Sequence, residues 1–264
     1  MAGIGEKTLS SAYGDLLQMD NSNNGIGTSL VAIKDGAGTE SCLQISDDQV
    51  FINPVNDDTT RALRVRSNSG TDLLVADSTN LNVKVLGNHV NTQYAKFCIT
   101  SIDSAAFAAG YHQAVPLSGC GIADLTYPPH FSNSADPATS FTTAHGNGTK
   151  ASDLVPCMWY LPDAISIDGV SSIEGADTAT GDTTRMHLFQ YDVTSGATHC
   201  LTSGTLVAHS SGVTNAGDEQ PYSINWTVDS AAVASGQVLI ATFESAGSIN
   251  SDYSLQITVK YHLT

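Results

Sequence analysis

The chain has 264 residues, 41% of them apolar and only 14% charged, with 10 Lys and Arg against 26 Asp and Glu for a net charge of −16. That length admits one large β domain or two small ones, and the apolar fraction suffices for a sizeable core. So acidic a surface repels phosphate and disfavours nucleic acid or an anionic membrane as partner, and no run approaches the roughly 18 apolar residues that insert into a bilayer.

Charged residues fall well below the about 25% of an ordinary soluble domain. Ser, Thr, Asn and Gly fill the gap, and these favour strands joined by turns. The opening residues 1–7 lack the cationic patch and apolar run of a signal peptide. Cys42, Cys98, Cys120, Cys157 and Cys200 are odd in number and never form a C-x-x-C pair. Free thiols and folding in a reducing cytoplasm are therefore expected.

In chain order, residues 9–19 suggest a short amphipathic helix with Leu9, Tyr13, Leu16 and Leu17 near one face. Residues 20–25 break it as a turn cluster. Asp20, Ser22, Asn24 and Gly25 have the spacing of an EF-hand loop start, but the twelfth position is Val31 where that loop needs a bidentate Glu. No metal and no cofactor are expected.

Short alternating segments follow at 42–45, 50–52, 63–66, 73–75 and 81–85, separated by polar turn clusters at roughly ten-residue intervals. Leu63 and Val65 share one face of their segment, as do Leu73 and Val75. Burying one such side chain gives about 1.5–3 kcal/mol, whereas ordering each residue costs about 1–2 kcal/mol of backbone entropy. A meander this thin does not hold itself up. Three copies wrapped about an axis would bury the same faces and remove the open edges. The expected trimer core is Leu63, Val65, Leu73, Val75, Leu81, Val83 and Val85.

From residue 92 the strands lengthen, with candidates at 94–100, 111–117, 157–161, 164–170, 186–193, 205–209, 222–228, 238–243 and 255–262. Met186, Leu188 and Gln190 alternate with His187, Phe189 and Tyr191, and Leu255, Ile257 and Val259 with Gln256, Thr258 and Lys260. Residues 229–236 read as one short helical turn, N-capped by Asp229 or Ser230 and stopped by Gly236. The set predicts an all-β chain ending in an antiparallel sandwich of jelly-roll type. The expected division is an anchoring segment 1–40, a trimerising short-strand region 41–91 and a sandwich 92–264. Residues 125–150 form a long connection, of a length that is usually functional or disordered.

Charge is uneven. Residues 1–90 carry 6 basic and 11 acidic groups (net −5), and residues 91–264 carry 4 and 15 (net −11). Arg61, Arg64 and Arg66 form the only arginine cluster, either a solvated strand face or an interface to an acidic neighbour.

Catalytic motifs are missing: there is no G-x-S-x-G elbow, H-E-x-x-H pair or phosphate loop. The eight histidines show no repeated metal spacing. The pairs Asp47–Asp48, Asp57–Asp58 and Asp218–Glu219 are adjacent, so on a strand their side chains diverge and do not converge on one glycosidic bond. Tyr127, His130 and Phe131 in the long connection are candidates to face a ligand, whereas Trp159 lies in an apolar strand and reads as core.

Residues 63–77, followed by 81–85, resemble repeats in tailed-bacteriophage fibre and spike proteins, where L-x-V strands alternate with polar turns and three chains intertwine. Residues 13–25 and 31–38 resemble the beginnings of virion proteins from marine and freshwater phages. The resemblance implies a homotrimer at the virion surface, its N-terminal part anchored to capsid or tail proteins through Leu9, Tyr13, Leu16 and Leu17. The sandwich would point outward, free to meet a host-surface glycan or receptor. A capsid-decoration or head-fibre protein is the alternative, and a glycan-degrading spike enzyme a third reading. The first two are non-enzymatic.

Overall fold

The computed structural model describes residues 17–19, 24–102, 110–118, 154–176, 180–196, 201–217, 220–246 and 253–264. Among them the chain is all-β, with one 3-10 turn at Val155–Cys157, and every strand pairing is antiparallel. Two compact units divide the chain, Met1–Val90 and Asn91–Thr264.

The first unit is two four-stranded meanders. One runs β1 (Gln18–Met19), β2 (Val31–Lys34), β3 (Glu40–Ile45) and β4 (Val50–Ile52), each paired with the next. The other runs β5 (Leu63–Arg66), β6 (Asp72–Asp77), β7 (Asn82–Val85) and β8 (Asn88–His89). Short polar side chains build the turns between them. Asp35 Oδ1 accepts the backbone N–H groups of Ala37 (2.9 Å) and Thr39 (2.8 Å), and these bonds, that from Thr39 foremost, hold its carboxyl below the usual range. Asp77 accepts from the backbone and side chain of Asn80 (2.9 and 2.8 Å), which lowers its carboxyl likewise.

Two sequence expectations fail locally. Gln18 and Met19 pair with Lys34 and Ile33, so the end of the expected helix is a strand. Leu81 does not open a strand: it occupies the left-handed turn before β7 at φ 52° and is 89% exposed. A Leu there is strained, and the Asp77–Asn80 bonds beside it hold the turn.

In the second unit a five-stranded sheet has the order β16 (Tyr222–Asn225), β12 (Ile165–Ala176), β20 (Tyr253–Leu263) and β9 (Thr92–Ile102), with β18 (Ala232–Val233) also on β12. A seven-stranded sheet has the order β10 (Gln113–Val115), β19 (Val238–Ser245), β13 (Thr183–Val193), β14 (Leu201–His209) and β17 (Thr227–Val228). Its remaining strands are β11 (Trp159–Tyr160) on β19 and β15 (Val213–Thr214) on β13. The expected helical turn at 229–236 is instead strand β18 and a Gly236 turn. Val233 is buried in the core, and the Asp229 carboxylate bonds His209 rather than capping backbone N–H groups.

The two sheets share one core. Phe97, Val170, Ile257 and Val259 come from the smaller sheet, and Met186, Leu188, Val207, Leu239 and Phe243 from the larger. Trp226 joins it by donating its Nε1–H to Ser172 Oγ at 2.9 Å. The other face of the larger sheet carries a second cluster, with Phe189, Tyr191 and Ile240 against Leu154 and Cys157. All eight residues of β19 are therefore buried. Burial on both faces is why its sequence runs apolar instead of alternating.

Candidate functional site

Covalent alternation puts side chains of a strand on opposite faces, and the pairing register then composes each face of the β5–β8 sheet. Leu63 lies opposite Ala76, Val65 opposite Leu74, and these in turn oppose Val83 and Val85. Across β5, β6 and β7 this face is thus apolar and uncharged, with Asn88 of β8 beside Val85 at its edge. It is also uncovered: Leu63, Val65, Val83 and Val85 are 36%, 45%, 38% and 45% exposed. The first meander repeats the pattern, with Met19, Val31, Ile33, Leu43, Ile45, Val50 and Ile52 on one face by register. Among the described residues up to Val90, Asp77 alone is buried, and no apolar side chain is.

The opposite face of β5–β8 is cationic. Arg64, Val75 and Lys84 lie in one row. Asp72 Oδ1 receives the Nε–H of Arg64 (2.6 Å) and pairs with Arg66 Nε (3.0 Å). The Arg64 hydrogen bond, with the charges of Arg64, Arg66 and Arg61, holds the Asp72 carboxyl low. Such exposed pairs contribute little stability, but they fix which face is wet.

Of the expected trimer core, Leu63, Val65, Val83 and Val85 come together. Leu73, Val75 and Leu81 do not join them. The register skips a residue between Val65 and Arg66, so Leu73 sits at a bulge, Asp72 meets Arg66, and Val75 falls on the cationic face. Leu74 and Ala76 take the apolar places. The run Leu73-Leu74-Val75-Ala76 has no alternation to set its parity, and cross-strand pairing of Asp72 with the two arginines is the signal that could have set it. Leu17 is exposed. Leu9, Tyr13 and Leu16, and the loop residues Tyr127, His130 and Phe131, lie outside the described residues.

The second unit buries polar groups that composition alone does not reveal. At one end of the sandwich, Glu174 of β12 accepts the Thr184 hydroxyl of β13 at 2.6 Å. Asp182, just before β13, accepts the hydroxyls of Tyr253 (β20) and Ser245 (2.5 Å, β19), and its Oδ1 accepts the Thr183 N–H at 2.9 Å. Glu174 and Asp182 are both nearly inaccessible. Burial raises the Glu174 carboxyl to about 7, the Thr184 bond opposing and the Asp182 charge adding to the rise.

On the outer face of the larger sheet, the rings of His112 and His209 lie 4.8 and 6.4 Å from that of His187. Burial, and the positive charges of His112, His209 and Arg185, push His187 down to about 3, so it stays neutral. His209 Nδ1 pairs with Asp229 Oδ2 at 2.8 Å, and no described hydroxyl or thiol is hydrogen-bonded to His209 to serve as a nucleophile. Arg185 meets the buried Glu244 at 3.4 Å. Cys42, Cys98 and Cys157 are free thiols, the first exposed and the last buried.

No protein-family model matches the chain, and no curated protein matches it in sequence.

Proposed function

We propose that the chain is a non-enzymatic structural protein of a tailed-bacteriophage particle. It assembles as a homotrimer through its first unit, is held to the particle near its N-terminal end, and presents the second unit outward. One observation carries the assembly reading: no apolar side chain is buried among the described residues up to Val90, while the second unit holds a full core. Meanders with uncovered apolar faces and open edges do not stand in water as isolated chains. In a chain of net charge −16, copies approaching through most surfaces repel one another. The apolar face of β5–β8 carries no charge, and so lets copies meet without that repulsion. Three copies closing about an axis cover such faces and leave no free edge.

The particle assignment rests on the resemblance of residues 63–85 to fibre and spike repeats. A jelly-roll reading of the second unit draws support from strand order. Taking β9, β10, β12, β13, β14, β16, β19 and β20 as the principal strands, the first pairs with the last, the second with the seventh, the third with the sixth and the fourth with the fifth. That is one long hairpin rolled into two sheets.

Light scattering on the full chain tests the assembly. The expected mass is three times 27.5 kDa, about 82 kDa. A folded species of 27.5 kDa at micromolar concentration would refute it. Gold-labelled antibody on intact particles tests the location.

A further inference from the structure

We propose that Glu174 and Asp182 form a proton-operated clasp between the two sheets of the second unit, closed when Glu174 carries a proton and loosened when it is ionised. The geometry is reciprocal. Glu174 belongs to the smaller sheet and is held by Thr184 of the larger. Asp182 leads into the larger sheet and is held by Tyr253 of the smaller, as well as by Ser245 at the end of β19. Each carboxyl is thus gripped by a hydroxyl from the opposing layer, at the end where β12 and β19 finish and β13 and β20 begin.

The two acids are not equivalent. Asp182 receives two hydroxyls and a backbone N–H. Glu174 has one hydroxyl on Oε1, and its buried Oε2 has no hydrogen-bond partner. An unpartnered carboxylate oxygen out of water is costly, so of the two Glu174 is the one that keeps the proton. The described groups around it on every neighbouring element offer no cation. Asp182 and Thr184 face it from the start of β13 and Tyr253 from β20, while Tyr222 of β16 and Leu255 of β20 lie opposite it in register. Arg185, the nearest described cation in sequence, lies on the far face of β13 and is engaged with Glu244. Burial and the Asp182 charge also push the Tyr253 hydroxyl up, so it remains a donor at any ordinary pH.

The sign follows directly. The folded state holds the Glu174 proton more tightly than the unfolded chain, so there is no penalty below pH 4.5, and the penalty grows as pH rises from 4.5 to about 7. His187 titrates in the opposite sense, losing stability as pH falls below 6.5. The two slopes nearly cancel in the wild type between pH 4.5 and 6.5, and a comparison with Glu174→Gln separates them. Gln keeps the shape of the protonated acid and cannot ionise.

The ratio of folding constants, variant over wild type, is expected to rise by up to about tenfold per pH unit above pH 4.5, reaching about 150-fold at pH 7 and levelling off near 300-fold above it. Hydrogen exchange locates the effect. Above pH 7 the amides of Ala246, bonded to Thr183, and Asn215, bonded to Asp182, should open faster in the wild type than in the variant. The Leu161 amide, bonded to Gln237 by the other end of β19, should differ less between the two, and by no more than the change in the folding constant. A pH-independent ratio would overturn the clasp. If the variant fails to fold, carbon NMR of the wild-type Glu174 carboxyl decides. A midpoint near 7 supports the clasp, and one in the ordinary carboxylate range sinks it.

Discussion

Replacing Val83 by Asp should dissociate the assembly without unfolding the sandwich. Full burial of a Val or Leu side chain is worth about 1.5–3 kcal/mol, and Leu63, Val65, Val83 and Val85 are each still roughly two-fifths exposed. Covering what remains therefore yields about 0.6–1.2 kcal/mol apiece, and about 2.5–5 kcal/mol per chain for the four. Val83→Asp removes one share and sets an unpaired carboxylate in the covered face, a penalty of several kcal/mol. Even a net loss of about 3 kcal/mol per chain weakens association more than a hundredfold. The substitution costs the isolated chain little, because the site is exposed there. Sedimentation velocity across a concentration series reads the result, with Lys84→Gln on the opposite face as the control that leaves assembly intact. A Val83→Asp protein with the same mass and concentration dependence as the wild type would refute the reasoning.

A fragment of residues 91–264 should unfold cooperatively on its own, since its core is internal, whereas residues 1–90 as a dilute monomer should show no cooperative transition by circular dichroism. His187 should remain neutral from pH 8 down to about 4 by nitrogen NMR. In the Glu174→Gln variant acid should destabilise the sandwich progressively below pH 6.5, as the unfolded chain takes up the proton that folded His187 refuses, whereas in the wild type the opposing Glu174 slope holds that loss back until about pH 4.5. A His187 titration midpoint near 6.5 in the folded protein would show that its burial is relieved.

Much of the second unit was legible because its strands alternate cleanly. Met186 and Leu188 do face the shared core while His187, Phe189 and Tyr191 face away, and Leu255, Ile257 and Val259 do point inward. The strand read as 164–170 runs on to Ala176, through Ser, Gly and Glu residues that carry little strand preference of their own. Long pairing with β20 holds them extended, from Ile165 opposite Leu263 to Ala176 opposite Tyr253. Glu174 was invisible for the same reason. An acid in a polar stretch reads as solvated until the strand beneath it is known to be central, with Thr184 and Asp182 on the facing sheet.

The first unit inverts that relation between pattern and partner. Its strand positions follow from short apolar segments and turn residues, so β5 is readable from sequence to the residue. What alternation alone does not give is which side chains share a face, because one bulge at Leu73 moves Val75 across the sheet. The burial itself explains why the pattern exists. Alternation is normally maintained by a core, yet Leu63, Val65, Val83 and Val85 alternate with Arg64, Arg66 and Lys84 where the described residues up to Val90 bury no apolar side chain. An amphipathic sheet with an exposed apolar face makes physical sense where a further surface covers it, and the proposed homotrimer would supply one. In so acidic a chain, an uncharged face is where another copy can do so.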